Sequence, residues 1–209
     1  ISTEQGLSQN IVSCIFQDSK GFLWFCTGDG LNRYDGYRFR VYKPFPNRLG
    51  AISGSEVVAL GKGRDGDIWV VTKNGGLNYY NSGQHVFEVY PDSLFRGFSL
   101  ESTVEIVEAA DGCVWLSDLS GIGIFDPETR QFERFNPGFP VESMLTLDGK
   151  KVIIAGQGGM CELERGGADG QSTGIQMHVL YERPVHSLAK DNDQSIYGIS
   201  NMHLLHWTA

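Results

Sequence analysis

The sequence predicts an all-β fold, a β-propeller of four-stranded antiparallel blades. A tryptophan-centred apolar segment recurs, with Trp24, Trp69 and Trp115 spaced 45 and 46 residues apart. Each of these segments follows an apolar strand and a short turn, and precedes a glycine turn and an aromatic strand. Self-similarity at this period is typical of propeller blades, each of which is a four-stranded sheet.

Five copies of this unit cover nearly the whole chain. In the fourth and fifth copies, Ile153 and Tyr197 take the place of tryptophan. The spacing falls to 38 residues before Ile153 and returns to 44 before Tyr197, which indicates loops of different length. We therefore expect one partial propeller domain over residues 1–209, with nothing left over for a second domain. Its predicted blades are 11–42, 56–90, 104–135, 141–180 and 185–207.

The first blade shows why four strands are expected. Alternating residues at 11–16 and the aromatic run 22–25 indicate the first two strands, and no segment keeps a helical period for ten residues. Asp and Gly fill the turns, as hairpins require. A tryptophan in the second strand is expected to pack between neighbouring blades, where its ring buries a large area. The residues assigned to the structural repeat are Trp24, Trp69, Trp115, Gly30, Gly76 and Tyr34.

A polar residue recurs near the turn between the second and third strands of each blade. In a propeller these turns and the blade-to-blade loops share one face, where variable loops can bind a ligand. Such residues also suit the turn itself, so a structural role competes with a binding role at each position. The candidate ligand contacts are Asp29, Asn74, Asp118, Gln157 and Asn201.

Composition narrows the range of partners. The net charge of −8 and the pI near 5.1 disfavour nucleic acid and anionic lipid, because both need clustered Lys and Arg. The sequence contains no run of 18 apolar residues that could span a membrane. Its start, ISTEQGLSQN, lacks the charged and apolar regions of a signal peptide, so we expect any such peptide to have been removed.

The four cysteines show no metal-binding spacing. Cys14, Cys26, Cys113 and Cys161 all lie in apolar strand segments, which favours buried free thiols. A disulfide between Cys14 and Cys26 is left open, because the two would lie on neighbouring strands of one blade.

Motifs for cofactor or metal chemistry are not found. The GxGxxG string at 61–66 leads into a strand and not a helix, so it predicts a hairpin turn and not a nucleotide site. His203 and His206 are three apart in a strand-like segment, which places them on opposite faces. We therefore predict no cofactor and no metal site.

Scattered acidic residues leave an enzymatic role open. Propeller lyases and glycosidases assemble their acids from several blades, and Glu56, Asp118 and Glu142 are residues of that kind. Their competing role is that of solvated loop or turn residues. Calcium at 65–67 or 191–193 is disfavoured, because three residues supply too few oxygen ligands.

The first blade strongly resembles the two-component regulator propeller repeat. That repeat has an apolar-Trp-apolar segment, a glycine turn, a leucine and an aromatic-Asp pair, here filled by Trp24, Gly30, Leu31, Tyr34 and Asp35. The resemblance rests chiefly on residues 6–135 and is weak in the last two copies.

This resemblance implies the extracytoplasmic sensor of a hybrid two-component system. Such sensors are periplasmic regions ahead of a membrane span and a cytoplasmic histidine kinase, and their ligands are oligosaccharides from polysaccharide breakdown. The expected partner is thus an unidentified oligosaccharide, and the chain itself is expected not to be an enzyme. A propeller lyase or glycosidase and a protein-interaction scaffold are the alternatives.

The resemblance also implies seven blades per propeller, which need about 315 residues. Five units fit here, so we expect a fragment of the first propeller. Open blade edges would favour self-association, and the full-length sensor could also dimerise. Three arrangements are open: an arc that pairs with another copy, an arc capped at its ends, or a five-bladed ring in which residues 1–5 donate the missing strand.

Overall fold

The computed structural model describes residues 2–147, 151–166, 174–191, 195–201 and 203–207. The chain forms two compact units, residues 1–106 and residues 107–209, which are described in turn. In both units the strands pair antiparallel with their neighbours in sequence. The predicted all-β class, built of four-stranded antiparallel sheets, is confirmed.

The first unit contains two such sheets, one for each of the first two predicted blades. Strands alternate along the chain with Gly- and Asp-containing turns, which reverse its direction within a few residues. The first sheet comprises β1 (Val12–Gln17), β2 (Leu23–Thr27), β3 (Gly30–Tyr34) and β4 (Phe39–Tyr42). The second comprises β5 (Val57–Lys62), β6 (Ile68–Thr72), β7 (Gly76–Asn81) and β8 (Val86–Tyr90). Short 3-10 helices lie at Thr3–Gln5, Arg64–Gly66, Asp92–Leu94 and Leu100–Ser102.

The core of this unit lies between its two sheets and is centred on Trp24. The Trp24 side chain is fully buried and makes an edge-on contact with Tyr80 of the next sheet, with ring centroids 5.2 Å apart. The hydroxyls of Tyr42 and Tyr80 are hydrogen-bonded at 2.9 Å, so these large rings bury their polar ends without leaving them unpaired. Trp69 is also buried and lies against Tyr79, with ring centroids 4.6 Å apart.

Strand β9 (Glu105–Glu108) contains the point at which the chain passes from the first unit to the second. The second unit then continues the same strand pattern. The third predicted blade supplies β10 (Val114–Asp118), β11 (Gly121–Asp126) and β12 (Gln131–Phe135). The fourth supplies β13 (Val141–Thr146), β14 (Lys151–Gly156), β15 (Gly159–Arg165) and β16 (Ile175–Tyr181). The fifth supplies β17 (Ser187–Lys190), β18 (Ile196–Ser200) and β19 (His203–Trp207).

Successive residues of β14 face opposite sides, as a strand period of two requires. Ile154 packs in a core with Trp115 and Val141, whereas Ile153 packs in a second core with Val185 and Ile196. Ile153 thus contacts the following sheet, just as Trp24 does in the first unit. An aliphatic side chain can therefore take the position that tryptophan occupies in the first three copies of the repeat.

Residues 3–5 do not form the strand that the five-bladed arrangement requires of the N-terminal segment, because Thr3–Gln5 form a 3-10 helix. A capping box holds that helix: the Ser2 backbone N–H donates to Gln5 Oε1 at 2.9 Å.

Candidate functional site

The second turns of the first unit hold two of the predicted ligand contacts. Asp29 lies between β2 and β3, where its carboxylate forms an ion pair with Lys43 at 2.7 Å, and both side chains are about half exposed. Asn74 is exposed between β6 and β7, with a left-handed backbone at φ 55°. Both residues can reach solvent, and their role in ligand binding stays a prediction.

The glycines after these residues have a definite structural role. Gly30 has φ +129°, and a Cβ there would lie 2.8 Å from the carbonyl oxygen of Tyr42. Gly76 has φ +94°, and a Cβ there would clash with the carbonyl oxygen of Tyr90. Close approach of the fourth strand and a positive φ both require glycine at this turn. Tyr34, a third residue of the predicted repeat, donates its hydroxyl to the Gly36 carbonyl at 2.7 Å.

A polar network that sequence reasoning missed fixes the loop before the first strand in each of the first two blades. In the first blade the Ser8 backbone N–H donates to Asn32 Oδ1 at 2.8 Å, and the Ser8 and Thr27 hydroxyls are 2.9 Å apart. Asn32 is fully buried, so these bonds pay for its desolvation. The sequence holds a signal of this network, because a Gly-Leu-Asn string occurs at 30–32 and again at 76–78. The turn before the second string is one residue longer.

The second blade repeats this network with equivalent residues. The Ser53 backbone N–H donates to Asn78 Oδ1 at 2.9 Å, and the Ser53 and Thr72 hydroxyls are 2.8 Å apart. Asn78 is fully buried as well. The loops that lead into β1 and β5 are therefore held in place before any ligand arrives.

These two loops border a cavity of about 420 Å³ within the first unit. Its wall mixes carboxylate, ammonium, amide and hydroxyl groups with aliphatic side chains. Lys73 forms an ion pair with Glu56 at 3.2 Å, and Gln9 Oε1 accepts a hydrogen bond from the Gly28 backbone N–H at 3.0 Å. The lining residues are Gln9, Ile11, Ser13, Gly28, Glu56, Val57, Val58, Lys73 and Glu101.

This cavity can bind a ligand that has both hydroxyl groups and apolar surface. The Ile11 side chain is 75% exposed, so it offers uncovered apolar area beside the polar groups. Binding pockets commonly combine an apolar wall with a few fixed donors and acceptors. We call this feature the strand-1 cavity, because Ile11 and Ser13 flank the start of β1 and Val57 and Val58 begin β5.

In the second unit, Gln157 belongs to a three-residue cluster with Glu142 and His186. The Gln157 side-chain amide donates to Glu142 Oε1 at 2.8 Å, and His186 Nδ1 lies 2.8 Å from Glu142 Oε2. The hydrogen bond from His186 lowers the pKa of the Glu142 carboxyl below its usual value. Asn201 is exposed at the turn after β18, with φ 44°.

The sequence predicts that Asp118 is a turn residue, but the structure places it in a strand. It is the last residue of β10, only 2% exposed, and it is paired in register with Gly121. Its carboxylate accepts hydrogen bonds from the backbone N–H and the hydroxyl of Ser120, each at 2.7 Å. Asp118 therefore occupies the strand-end position of Thr27 in the first blade, which is paired with Gly30.

The interpretation of all four cysteines as free thiols is wrong for two of them. Cys14 and Cys26 are opposite each other on β1 and β2, with Cα atoms 5.1 Å apart, and they form a disulfide. Cys113 and Cys161 are buried free cysteines. Burial raises the pKa of the Cys113 thiol to about 11, so this sulfur is protonated at neutral pH and poorly nucleophilic.

Each acidic residue of the enzymatic alternative has a local partner. Glu56 is paired with Lys73, Asp118 is buried against Ser120, and Glu142 is paired with His186. Within the residues that the structure describes, no group of three or more His, Cys, Asp or Glu side chains could hold a metal ion. At the first suggested calcium position, Asp67 instead accepts hydrogen bonds from Ser82 N and Tyr79 Oη. The second lies at 191–193, where 192 and 193 are outside the described residues.

None of the helices in the described part of the chain is both long and apolar enough to cross a membrane.

Known protein sequences match parts of this chain. The sequence profile of the two-component regulator propeller matches residues 6–29. Histidine kinase P4 of Formosa agariphila is 48% identical over 48 residues, which are 23% of this chain and 4% of that protein. The chain therefore spans a small part of this relative.

Two solved structures extend the comparison to the fold. The extracellular domain of the hybrid two-component system BT3049 from B. thetaiotaomicron aligns over 100% of this chain and 30% of its own, with a TM-score of 0.70 and 27% identity. Virginiamycin B lyase from Staphylococcus aureus aligns over 95% of this chain and 70% of its own, with a TM-score of 0.61. At 15% identity, the lyase shows a shared fold alone.

The expectation that this chain is not itself an enzyme agrees with these comparisons, since the profile is that of a two-component regulator propeller and the more similar structure is the extracellular domain of a hybrid two-component system. The resemblance found in the sequence is confirmed: residues 6–29 match the two-component regulator propeller, and the fold of the chain is similar to that of the extracellular domain of a hybrid two-component system.

Proposed function

We propose that this chain is the periplasmic ligand-binding part of a hybrid two-component sensor, and that it detects oligosaccharides from polysaccharide breakdown. Kinase modules outside this chain would receive the signal across the membrane. The coarser role, an extracytoplasmic sensor propeller, is supported by likeness to the BT3049 extracellular domain over the whole chain. The Cys14–Cys26 disulfide also fits an oxidising compartment such as the periplasm.

The strand-1 cavity is the observation that carries the ligand assignment. An oligosaccharide presents hydroxyl groups along its edges and C–H groups on its ring faces. Glu56 and Ser13 supply hydrogen-bond partners for the former, and the exposed Ile11 supplies a surface for the latter. The cavity volume of about 420 Å³ is large enough for one or two sugar rings.

The Glu56–Lys73 ion pair is suited to binding a hydroxyl-rich ligand. Both side chains are about half exposed, so solvent already screens their attraction and little is lost when a sugar hydroxyl inserts between them. The ammonium can then donate to one hydroxyl while the carboxylate accepts from another. Hydrogen bonds to charged groups are the stronger ones.

Isothermal titration of the intact sensor region against a panel of oligosaccharides tests the proposal. We expect at least one saccharide to bind, and Lys73→Met to weaken it about tenfold because a charge-assisted bond is lost. Lys62→Met is the matched control, since Lys62 ends β5 and is not part of the cavity wall.

Two results would count against the proposal in different ways. If no saccharide binds, oligosaccharide sensing is wrong. If a saccharide binds equally well to wild type and Lys73→Met, the ligand does not use the strand-1 cavity. Self-association of the sensor stays a prediction, and sedimentation velocity of the same preparations measures it.

A further inference from the structure

A second concave surface in the first unit is basic, although the whole chain has a net charge of −8. It lies along β4, the loop that follows β4, and the start of β8, and it has a volume of about 210 Å³. We call it the rim groove. Among the described residues that line it, three have Arg or Lys side chains and none has a carboxylate: Arg40, Lys43 and Arg48 are the cations.

Two backbone hydrogen bonds hold the loop of the rim groove. The Phe87 backbone N–H donates to the Gly50 carbonyl at 2.9 Å, which ties the loop to β8. Within the loop, the Arg48 N–H donates to the Phe45 carbonyl at 3.2 Å. A site held in this way loses little conformational entropy when it binds a ligand.

Apolar side chains lie beside the cations. Phe45 is 64% exposed and Leu49 is 98% exposed, so both offer uncovered apolar area. The Arg40 guanidinium lies 5.1 Å from the centroid of the Tyr42 ring, so a cation–π contact orients it. The groove therefore offers positive charge next to exposed apolar surface.

We propose that the rim groove binds a sugar acid, with the carboxylate held by Arg40 and Arg48 and the ring placed against Phe45. A guanidinium matches a carboxylate with two parallel hydrogen bonds, whereas a neutral sugar hydroxyl cannot use that geometry fully. An aromatic ring suits the C–H face of a pyranose. This site is separate from the strand-1 cavity and does not depend on the proposed sensing role.

The third cation of the groove is already engaged. Lys43 Nζ lies 2.7 Å from Asp29 Oδ2, and Asp29 is not one of the lining residues. Asp29 therefore neutralises part of the positive charge at the edge of the groove. Its removal would release Lys43 for a bound carboxylate.

Ligand titration followed by NMR distinguishes charge recognition from general sugar binding. Glucuronate and glucose are the probes, because they differ by a carboxylate in place of a hydroxymethyl group. We expect glucuronate to bind at least tenfold more tightly than glucose, and added salt to reduce that difference. Arg40→Gln and Arg48→Gln should each weaken the binding of glucuronate about tenfold and leave the binding of glucose unchanged. Arg96→Gln, an exposed substitution outside the groove, is the control.

Asp29→Asn gives a test that loss of folding cannot imitate, because it predicts a gain. The variant should bind glucuronate several-fold more tightly, since Lys43 is released and a nearby negative charge is removed. Inorganic sulfate should compete with glucuronate if the oxyanion is what the arginines recognise. Equal binding of glucuronate and glucose, no effect of both arginine substitutions, or weaker binding by Asp29→Asn would overturn the proposal. None of these results depends on whether an oligosaccharide binds the strand-1 cavity.

Discussion

The carboxylate of Asp18 accepts a hydrogen bond from the indole Nε1 of Trp24 at 2.8 Å, in a part of the first unit where both side chains are buried. Its other oxygen accepts the backbone N–H groups of Lys20 and Phe22, at 3.0 and 2.9 Å. One side chain thus ties the first hairpin turn to the central tryptophan of the blade. Tyr197 donates to Asp191 in the same way at 3.1 Å, six residues apart like the first pair.

Asp18→Ala should lower the free energy of unfolding by about 1.5–3 kcal/mol, because it leaves the buried Trp24 N–H without its acceptor. Asp35→Ala is a useful control: Asp35 also accepts two backbone N–H groups in a turn, but it is exposed. Urea denaturation followed by tryptophan fluorescence measures both. Equal losses in the two variants would show that the Trp24 contact adds nothing to a simple turn.

Gly76→Ala should destabilise the chain more than Gly36→Ala. Both glycines have nearly the same positive φ, +94° and +95°, so both variants bear a left-handed penalty of about 1–2 kcal/mol. A Cβ at Gly36 meets open space, whereas one at Gly76 meets the Tyr90 carbonyl, which adds about 1–3 kcal/mol. Thermal and urea unfolding of the pair isolates this second contribution. A difference near zero would contradict the close packing of β8 over the turn.

The sequence predicted the strand pattern well because the repeat is periodic at two levels. Tryptophan marks the phase of a blade and glycine marks its second turn, so the order of elements follows even where Ile153 replaces tryptophan. The outer limits of the first predicted blade, 11–42, agree within one residue with β1 and β4.

Individual side chains were harder to predict, because they depend on register and on turn length. Counting back from glycine would have placed Asp118, since it precedes Gly121 by the three residues that separate Thr27 from Gly30. The Cys14–Cys26 pair requires the β1–β2 register, which alternation of residues does not fix. The cavity and the rim groove arise from loops whose course is set by long-range contacts such as that between Phe87 and Gly50.

Reduction of the Cys14–Cys26 disulfide should lower the free energy of unfolding by about 2–3 kcal/mol, because a closed loop of this length restricts the unfolded chain. The double variant Cys14→Ser/Cys26→Ser should show the same loss without reductant and no further loss with it. Cys161→Ser is the control for reductant effects at a buried free thiol. Urea titration with and without dithiothreitol makes the comparison. If the reductant does not change the free energy of unfolding of the wild type, the disulfide does not have this stabilising role.

The Glu142–His186 contact predicts a particular dependence on acid. Since the His186 hydrogen bond lowers the Glu142 pKa from its ordinary 4.5, the ionised form stabilises the folded state above that pH. This contribution is lost as the pH falls from 4.5 through the lower folded-state pKa. Unfolding free energies measured between pH 6 and pH 3 should therefore fall more steeply in wild type than in Glu142→Gln. Glu128→Gln, which alters an exposed carboxylate outside the cluster, should keep the wild-type slope. Parallel curves for wild type and Glu142→Gln would show that the 2.8 Å contact is not maintained in solution.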